Sequence, residues 1–568
     1  MRRLPALALG VLARLRPTEW QGVLVTSALI GALGALATLG FKQLLFGTEH
    51  LMFGQSDSLV RIASGLSWWK RLLAPTLGGA VAGLVLAQAR RIADRKAAGD
   101  YMEAIALGDG DLPVRQSLLR ALSSAASVSS GGAIGREGPM VQLAALAGSL
   151  VGRWRQAPVP RRRLMVACGA AAGLATAYNA PIAGALFVAE IVIRSLAIET
   201  VGALLVATVA AHLVVLELGS AAPLYPLPVF KLASGGGALL LAAIGLVAGV
   251  AAPGYLWVLD QAHAGFDRWK TPLWLKLAAG GLAVGGLSIV SPNVWGNGYS
   301  EVRAILEGGL LWQALMLMLV LKVLAVAATT GSGAVGGIFT PTLFVGAAAG
   351  ALYATALQAA WPEGPGSAAI AAVGMAAFLA ACTHAPLTSV LMIFEMTANY
   401  GLVVPSMLAC VLAYSISRTL RPASIYAGSA GSAVLTPATS IAADFARPQV
   451  ASVTLGSSLR ELEACFVKYR WQHTYVLDAQ GRFVGAVSLH DAGPLLRRTA
   501  QASDPWPISL LQRDYPHVAA DTPSWKVLET FATHAGERLP VLDATGRLTG
   551  HITKTDLVLM FRDRLGGH

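Results

Sequence analysis

Apolar stretches long enough to cross a bilayer recur along this chain. They run at about Trp20 to Phe46, Leu72 to Ala89, Val201 to Leu218, Leu239 to Leu259, Leu273 to Val290 and Leu311 to Ala328, and repeatedly from Phe344 to Leu420. A bilayer core takes roughly 20 helical residues, and only helices and closed barrels can satisfy their backbone polar groups there. The runs therefore predict a polytopic all-α membrane protein. Composition agrees, with 55% hydrophobic and 13% charged residues, where a soluble domain carries about a quarter charged. An ordinary soluble enzyme is excluded on that ground.

The formal charge of +12 comes from 43 Lys and Arg against 31 Asp and Glu. In a soluble protein such an excess would raise nucleic acid as a partner. Here the bases cluster between apolar runs, at Arg2, Arg3, Arg14 and Arg16, at Arg90, Arg91, Arg95 and Lys96, and at Arg153, Arg155 and Arg161 to Arg163. That is the pattern of cytoplasmic loops under the positive-inside rule, and no nucleic-acid partner is expected. Four scattered cysteines, Cys168, Cys382, Cys410 and Cys465, give neither a disulfide framework nor a metal spacing. They are expected in the core, and no metal is expected.

Shorter apolar segments, such as Met140 to Val151 and Pro181 to Ile193, follow Gly-Pro or Ala-Pro steps. They read as helices that start or stop inside the membrane, where broken backbone is tolerated around a protein-lined site. The markers also repeat. Tyr101, Pro139, Pro181 and Glu190 are separated by 38, 42 and 9 residues, and Tyr299, Pro341, Pro386 and Glu395 by 42, 45 and 9. Two related halves with interrupted helices are implied, and such a duplication points to a transport site at their interface.

Beyond about Thr436 charged residues become roughly twice as dense, and no further run could span a bilayer. Tyr475 to Arg482 matches Pro540 to Arg547 at an offset of 65, as Gly485 and Asp491 match Gly550 and Asp556. Each unit reads as strand, turn, strand and short helix, a tandem α/β pair.

The segments Gly135-Arg136-Glu137-Gly138-Pro139 and Gly337-Ile338-Phe339-Thr340-Pro341 each place glycine before a proline-started helix. Two helix N-termini would meet there and bind a small anion through backbone N–H groups; the alternative is a pair of tight turns. Glu137 is an ionisable group in an apolar setting, which is costly unless it pairs or functions. It could compete with the anion and swing away when protonated, or Arg136 could simply neutralise it. For Glu190 and Glu395, hydrogen bonds to nearby backbone are expected rather than proton carriage.

On these two segments the chain resembles the CLC family of chloride channels and chloride/proton exchangers, and its tail resembles a pair of CBS domains. The resemblance implies an all-α membrane domain of two inverted halves over residues 1–430 and a cytoplasmic α/β CBS pair over 436–568, in units of about 440–500 and 505–566. It further implies a homodimer in the cell membrane, of bacterial inner-membrane type, that transports chloride, with or without protons, and is not an enzyme. By resemblance Glu137 is the gate, the Ile338 and Phe339 amides hold the anion with Gly135, Arg136, Gly138 and Gly337 around it, and Tyr426 lines its inner side. By resemblance, Ser488 with Asp491 and Thr553 with Asp556 correspond to hydroxyl and carboxylate ligands of an adenine nucleotide; the alternative is a CBS pair that binds no cofactor and acts as a dimerisation plate or regulatory clamp.

Two departures bear on mechanism. The family's Gly-Ser-Gly-Ile-Pro segment is replaced by Ala98-Gly99-Asp100-Tyr101-Met102, without its serine and proline, while the second half keeps an echo at Gly296-Asn297-Gly298-Tyr299. Ile191 occupies the position where exchangers tend to carry a second, inner glutamate. This leans toward a voltage- or pH-gated channel, with a chloride/proton antiporter as the alternative. A nucleotide-sensing receptor that conducts nothing is the reading from another class.

Overall fold

The computed structural model describes residues 19–557 except 57, 93–98, 107, 220–221, 229, 231–234, 362–364, 428–440, 449, 470, 499–503 and 535. Arg2, Arg3, Arg14, Arg16, Arg95, Lys96, Ala98 and Thr436 lie outside the described residues. The chain divides into two compact units, Met1–Gly431 and Ser432–His568.

The first unit is helical. Among the described residues, eight helices are long and apolar enough to cross a membrane, from Trp20–Phe53 to Tyr400–Leu420, and each contains or overlaps an apolar run seen in the sequence. Helix Val159–Tyr178 was not evident there, because three arginines stand near its start and Ala and Gly dominate the rest. Its later turns are almost wholly buried among other helices, so small side chains that allow close approach serve it better than bulky apolar ones. All four cysteines are free and buried.

The two halves clasp each other through carboxylates. Pro181–Phe187 runs on into a π-helical turn, Val188–Ile193, that carries Glu190. The Glu190 carboxylate accepts from the Leu387 and Thr388 N–H groups at 3.3 and 2.8 Å and from the Thr388 hydroxyl at 2.6 Å. Reciprocally, Glu395 accepts from the Ile182 and Ala183 N–H groups at 3.0 and 2.8 Å. Each glutamate thus satisfies the free N–H groups at the proline-started helix of the other half. The hydrogen bonds expected to nearby backbone go instead to backbone about 200 residues away in sequence.

Lys322 supplies a second internal clasp. It is 1% exposed, and its ammonium donates to the carbonyls of Asn293, Val294, Trp295 and Gly296 at 2.9–3.3 Å. This holds the loop before helix Tyr299–Glu307, with Trp295 fully buried. The Trp295 ring lies where a Cβ on Gly131 (φ +107°) would sit, only 2.5 Å from its Cδ2, so residue 131 has to be glycine.

The second unit holds two small sheets. In the first, Ser452–Thr454 pairs in parallel with His473–Leu477, which pairs antiparallel with Phe483–Ser488. In the second, Val518–Ala519, Arg538–Leu542 and Leu548–Thr553 repeat the pattern. The matched turns close in the same way. Asp478 accepts from the Gln480 and Arg482 N–H groups, and Asp543 from those of Thr545 and Arg547, while Gly481 and Gly546 take φ of +78° and +79°. These bonds hold both carboxyls below the ordinary aspartate range, the Arg482 N–H acting first at Asp478 and the Thr545 hydroxyl first at Asp543.

Candidate anion pathway and nucleotide cleft

The two glycine-led segments meet as a miniature antiparallel pair. The Gly135 N–H donates to the Gly337 carbonyl and the Gly337 N–H to the Gly135 carbonyl, both at 2.7 Å. Two residues on, each chain enters a helix, Glu137–Trp154 and Phe339–Ala360. A Cβ on Gly135 would stand 2.7 Å from the Gly337 carbonyl oxygen, so the bridge needs a bare backbone. The Gly135 and Gly337 amides, of two residues set around the anion by resemblance, are therefore each taken by the other's carbonyl. They build the frame of the site.

On this bridge sits the Glu137 side chain, 3% exposed. Its Oε1 accepts from the Thr340 hydroxyl, and Thr340 Oγ1 lies 3.0 Å from the Tyr178 hydroxyl. Since the single Thr340 proton goes to Glu137, Tyr178 donates to Thr340, which completes a chain Tyr178 to Thr340 to Glu137. Glu137 Oε2 is buried with no hydrogen-bond partner. The sequence reading missed Thr340 and Tyr178; Thr340 stood inside the quoted segment, but nothing local said where its hydroxyl pointed.

Glu137 and Arg136 face different spaces. Glu137, Gly138, Ile338, Phe339 and Tyr426 line a cavity of about 460 Å³. Arg136 lines another of about 570 Å³ with Lys42, Glu49, Arg61 and Tyr225, its guanidinium 5.2 Å from the centre of the Tyr299 ring. Arg136 therefore lines this second cavity, the vestibule, and not the cavity of Ile338 and Phe339. Phe187 ties the first cavity's wall together, edge-on to Phe339 at 6.0 Å and to Tyr426 at 5.6 Å. The Tyr426 segment is anchored by the Ile425 N–H on the Cys382 carbonyl at 2.9 Å.

Replacing Thr340 by Val keeps the shape and removes the hydroxyl on Glu137. A hydrogen bond to a charged group contributes about 1.5–3 kcal/mol, so the carboxylate should leave its seat about tenfold more readily or better. If Glu137 is the gate that the resemblance implies, the expected result is faster chloride efflux from liposomes at neutral pH; an unchanged rate would show that the hydroxyl does not hold the side chain.

In the tail the two expected nucleotide pairs differ. The Thr553 hydroxyl donates to Asp556 at 2.7 Å, and the Arg447 guanidinium bonds the same carboxylate. Burial alone would raise the Asp556 pKa, but Thr553 and Arg447 outweigh it and leave the carboxyl below its ordinary range. Any stability gained there is present above the unfolded pKa and lost as acid protonates Asp556. Ser488 accepts from the His490 N–H at 3.1 Å, and Asp491 accepts only from Gln512, at 3.1 Å, among the described bonds. Gln512 borders a groove of about 790 Å³ with His473, Arg513, Tyr515 and His534.

The family model for voltage-gated chloride channels matches residues 78–418, and the CBS domain model matches 442–492 and 508–563. The chain belongs to the CLC family. Chloride transport across a membrane is what that membership establishes, with a CBS pair appended. A putative chloride channel protein, ClcB-like, from Ralstonia nicotianae is 51% identical over 410 residues, which is 71% of this chain and 96% of that one. The voltage-gated ClC-type chloride channel ClcB of Escherichia coli SMS-3-5 is 42% identical over 409 residues, 71% of this chain and 97% of that one. Among solved structures, a slow cyanobacterial Cl−/H+ antiporter aligns at a TM-score of 0.64 with 26% identity, covering 72% of this chain and 97% of its own. A eukaryotic CLC transporter aligns at 0.64 with 18% identity, covering 94% of this chain and 97% of its own, and shows the shared fold.

Proposed function

We propose that the chain exchanges chloride for protons, with Glu137 as both barrier and proton acceptor. The observation that carries this is the seat of Glu137: a buried carboxylate on the Gly135–Gly337 bridge that lines one cavity, while the adjacent Arg136 lines another. An anion passing that seat has to displace a like charge, and the displacement becomes easy once the carboxylate is protonated. The Ile338 and Phe339 helix start would hold the anion, with Gly138 beside it and Tyr426 on the inner side. The basic clusters that flank the apolar runs, Arg90 and Arg91 at the end of Trp68–Arg91 and Arg153, Arg155 and Arg161 to Arg163 around the junction of Glu137–Trp154 and Val159–Tyr178, support a cytoplasmic assignment of that side under the positive-inside rule; the CBS tail is assigned to the cytoplasm of a bacterial cell with it. The working form is a homodimer.

A gated channel is the second reading, favoured by Ile191, an apolar residue at the position of the second glutamate. Reconstitution in liposomes under a chloride gradient separates the two. Uphill proton movement driven by chloride is the expected result, and chloride flux without proton movement would establish the channel. Flux of neither ion would leave the sensor reading.

The tail takes one adenine nucleotide, on the Asp491 side, since Arg447 fills the Asp556 side with the chain's own charge. Calorimetric titration of the detergent-solubilised full chain with ATP should give about one nucleotide per chain, and Asp491→Ala should remove it. Two equivalent nucleotides, or none, would refute this assignment.

A further inference from the structure

Among the described residues, two acids line the cavity of about 460 Å³: Glu137 and Asp100. Asp100 stands just before helix Tyr101–Ala106, in the segment where the family's serine is missing. The amides there are not left for an anion. The Gly99 N–H donates to Glu103 Oε2 at 2.9 Å and the Tyr101 N–H to Gln142 Oε1 at 3.0 Å. What this segment offers to the cavity is instead a carboxylate.

A carboxylate in an anion's path repels the cargo, and an ionisable group in a membrane interior is costly unless it has a partner or a task. The charged and titratable groups facing this space are Arg90 from Trp68–Arg91, Arg120 from Val114–Ser129, Glu137, His263 from Gly235–Arg268, and the hydroxyls of Tyr101 and Tyr426; Glu103 acts from Asp100's own helix. The two arginines keep the cavity attractive to chloride in spite of Asp100. The volume is enough for several waters at about 30 Å³ each, and the polar lining would hold them. Capping the short helix would not need an acid, because Asn caps as well as Asp.

We propose that Asp100 is the inner proton acceptor of the exchange cycle. A proton from cytoplasmic water adds to the Asp100 carboxylate, is released to cavity water, and ends on the Glu137 carboxylate, which carries it past the bridge. Only O–H bonds form and break, and one proton enters and leaves. Chloride shares the cavity but not the carboxylate. This inference rests on the exchange reading above.

The test is paired recording of chloride and proton movement in liposomes for the wild type, Asp100→Asn and Asp100→Glu. Asn keeps the cap and the size but cannot shuttle a proton; Glu keeps the acid. The expected result is a proton-to-chloride ratio at least ~10-fold lower in Asp100→Asn, with coupling retained in Asp100→Glu. An Asp100→Asn protein with the wild-type ratio would overturn the assignment while exchange stands. So would equal loss of both fluxes, which is what a merely structural role predicts. A wild type that moves no protons would overturn the exchange reading and Asp100's role together.

Discussion

Glu137→Gln should abolish proton transport and make chloride flux independent of pH. Gln has the size of Glu and can still accept from the Thr340 hydroxyl, so the fold around the Gly135–Gly337 bridge has no reason to change. What it loses is the proton equilibrium and the charge. In the wild type, acidification should neutralise the side chain, release it, and raise chloride efflux. Glu137→Gln should already run at the rate of the acid-neutralised wild type at neutral pH and change less than ~2-fold across a titration that moves the wild type at least ~10-fold. A variant that keeps the wild-type pH response would remove Glu137 from the mechanism.

Lys322→Met should give the largest loss of stability. Four backbone carbonyls, Asn293 to Gly296, share its ammonium, and each buried acceptor left without a donor costs about 1–3 kcal/mol before relaxation. Glu301, 3% exposed, has one carboxylate oxygen without a hydrogen-bond partner, and Lys322 is the positive charge acting on it. Removing that charge from a buried acid adds a penalty of the kind seen when one member of a buried pair is deleted, about 3–5 kcal/mol at most. Allowing for relaxation of the loop, a loss of about 3 kcal/mol or more is expected, read as a lower melting temperature in detergent. Adding Glu301→Gln should recover part of it, because the uncompensated charge is gone while the carbonyls stay unpaired. Full stability in Lys322→Met would mean the loop finds other donors.

Much of this protein could be read from local pattern. Hydropathy over about 20 residues located the spanning helices, because lipid demands that length of apolar helix wherever the chain crosses. Glycine and proline marked the broken helices at Pro139, Pro181, Pro341 and Pro386, since both act on the backbone at their own position. The Asp and Gly of the two tail turns gave the α/β repeat in the same way. Glu137 was visible because a lone acid among apolar residues is conspicuous in any window. Helix Val159–Tyr178 was not visible, because its burial comes from neighbours rather than from its own hydropathy.

The partners were another matter. That Gly135 pairs with Gly337, that adjacent Arg136 and Glu137 open onto different cavities, that Thr340 and Tyr178 hold the carboxylate, and that Glu190 and Glu395 serve each other's half are relations between residues 150 or more apart or between neighbours on a turn. Asp100 in the sequence is only the residue that follows a missing serine; in the fold it shares a cavity with Glu137. The sequence by itself determined which segments lie in the membrane and where their helices break, because those follow from the free energy of each segment in lipid. Which amides, carboxylates and hydroxyls meet at the breaks was decided only by the packing of the two halves, because a buried polar group takes whichever partner the tertiary structure brings within about 3 Å.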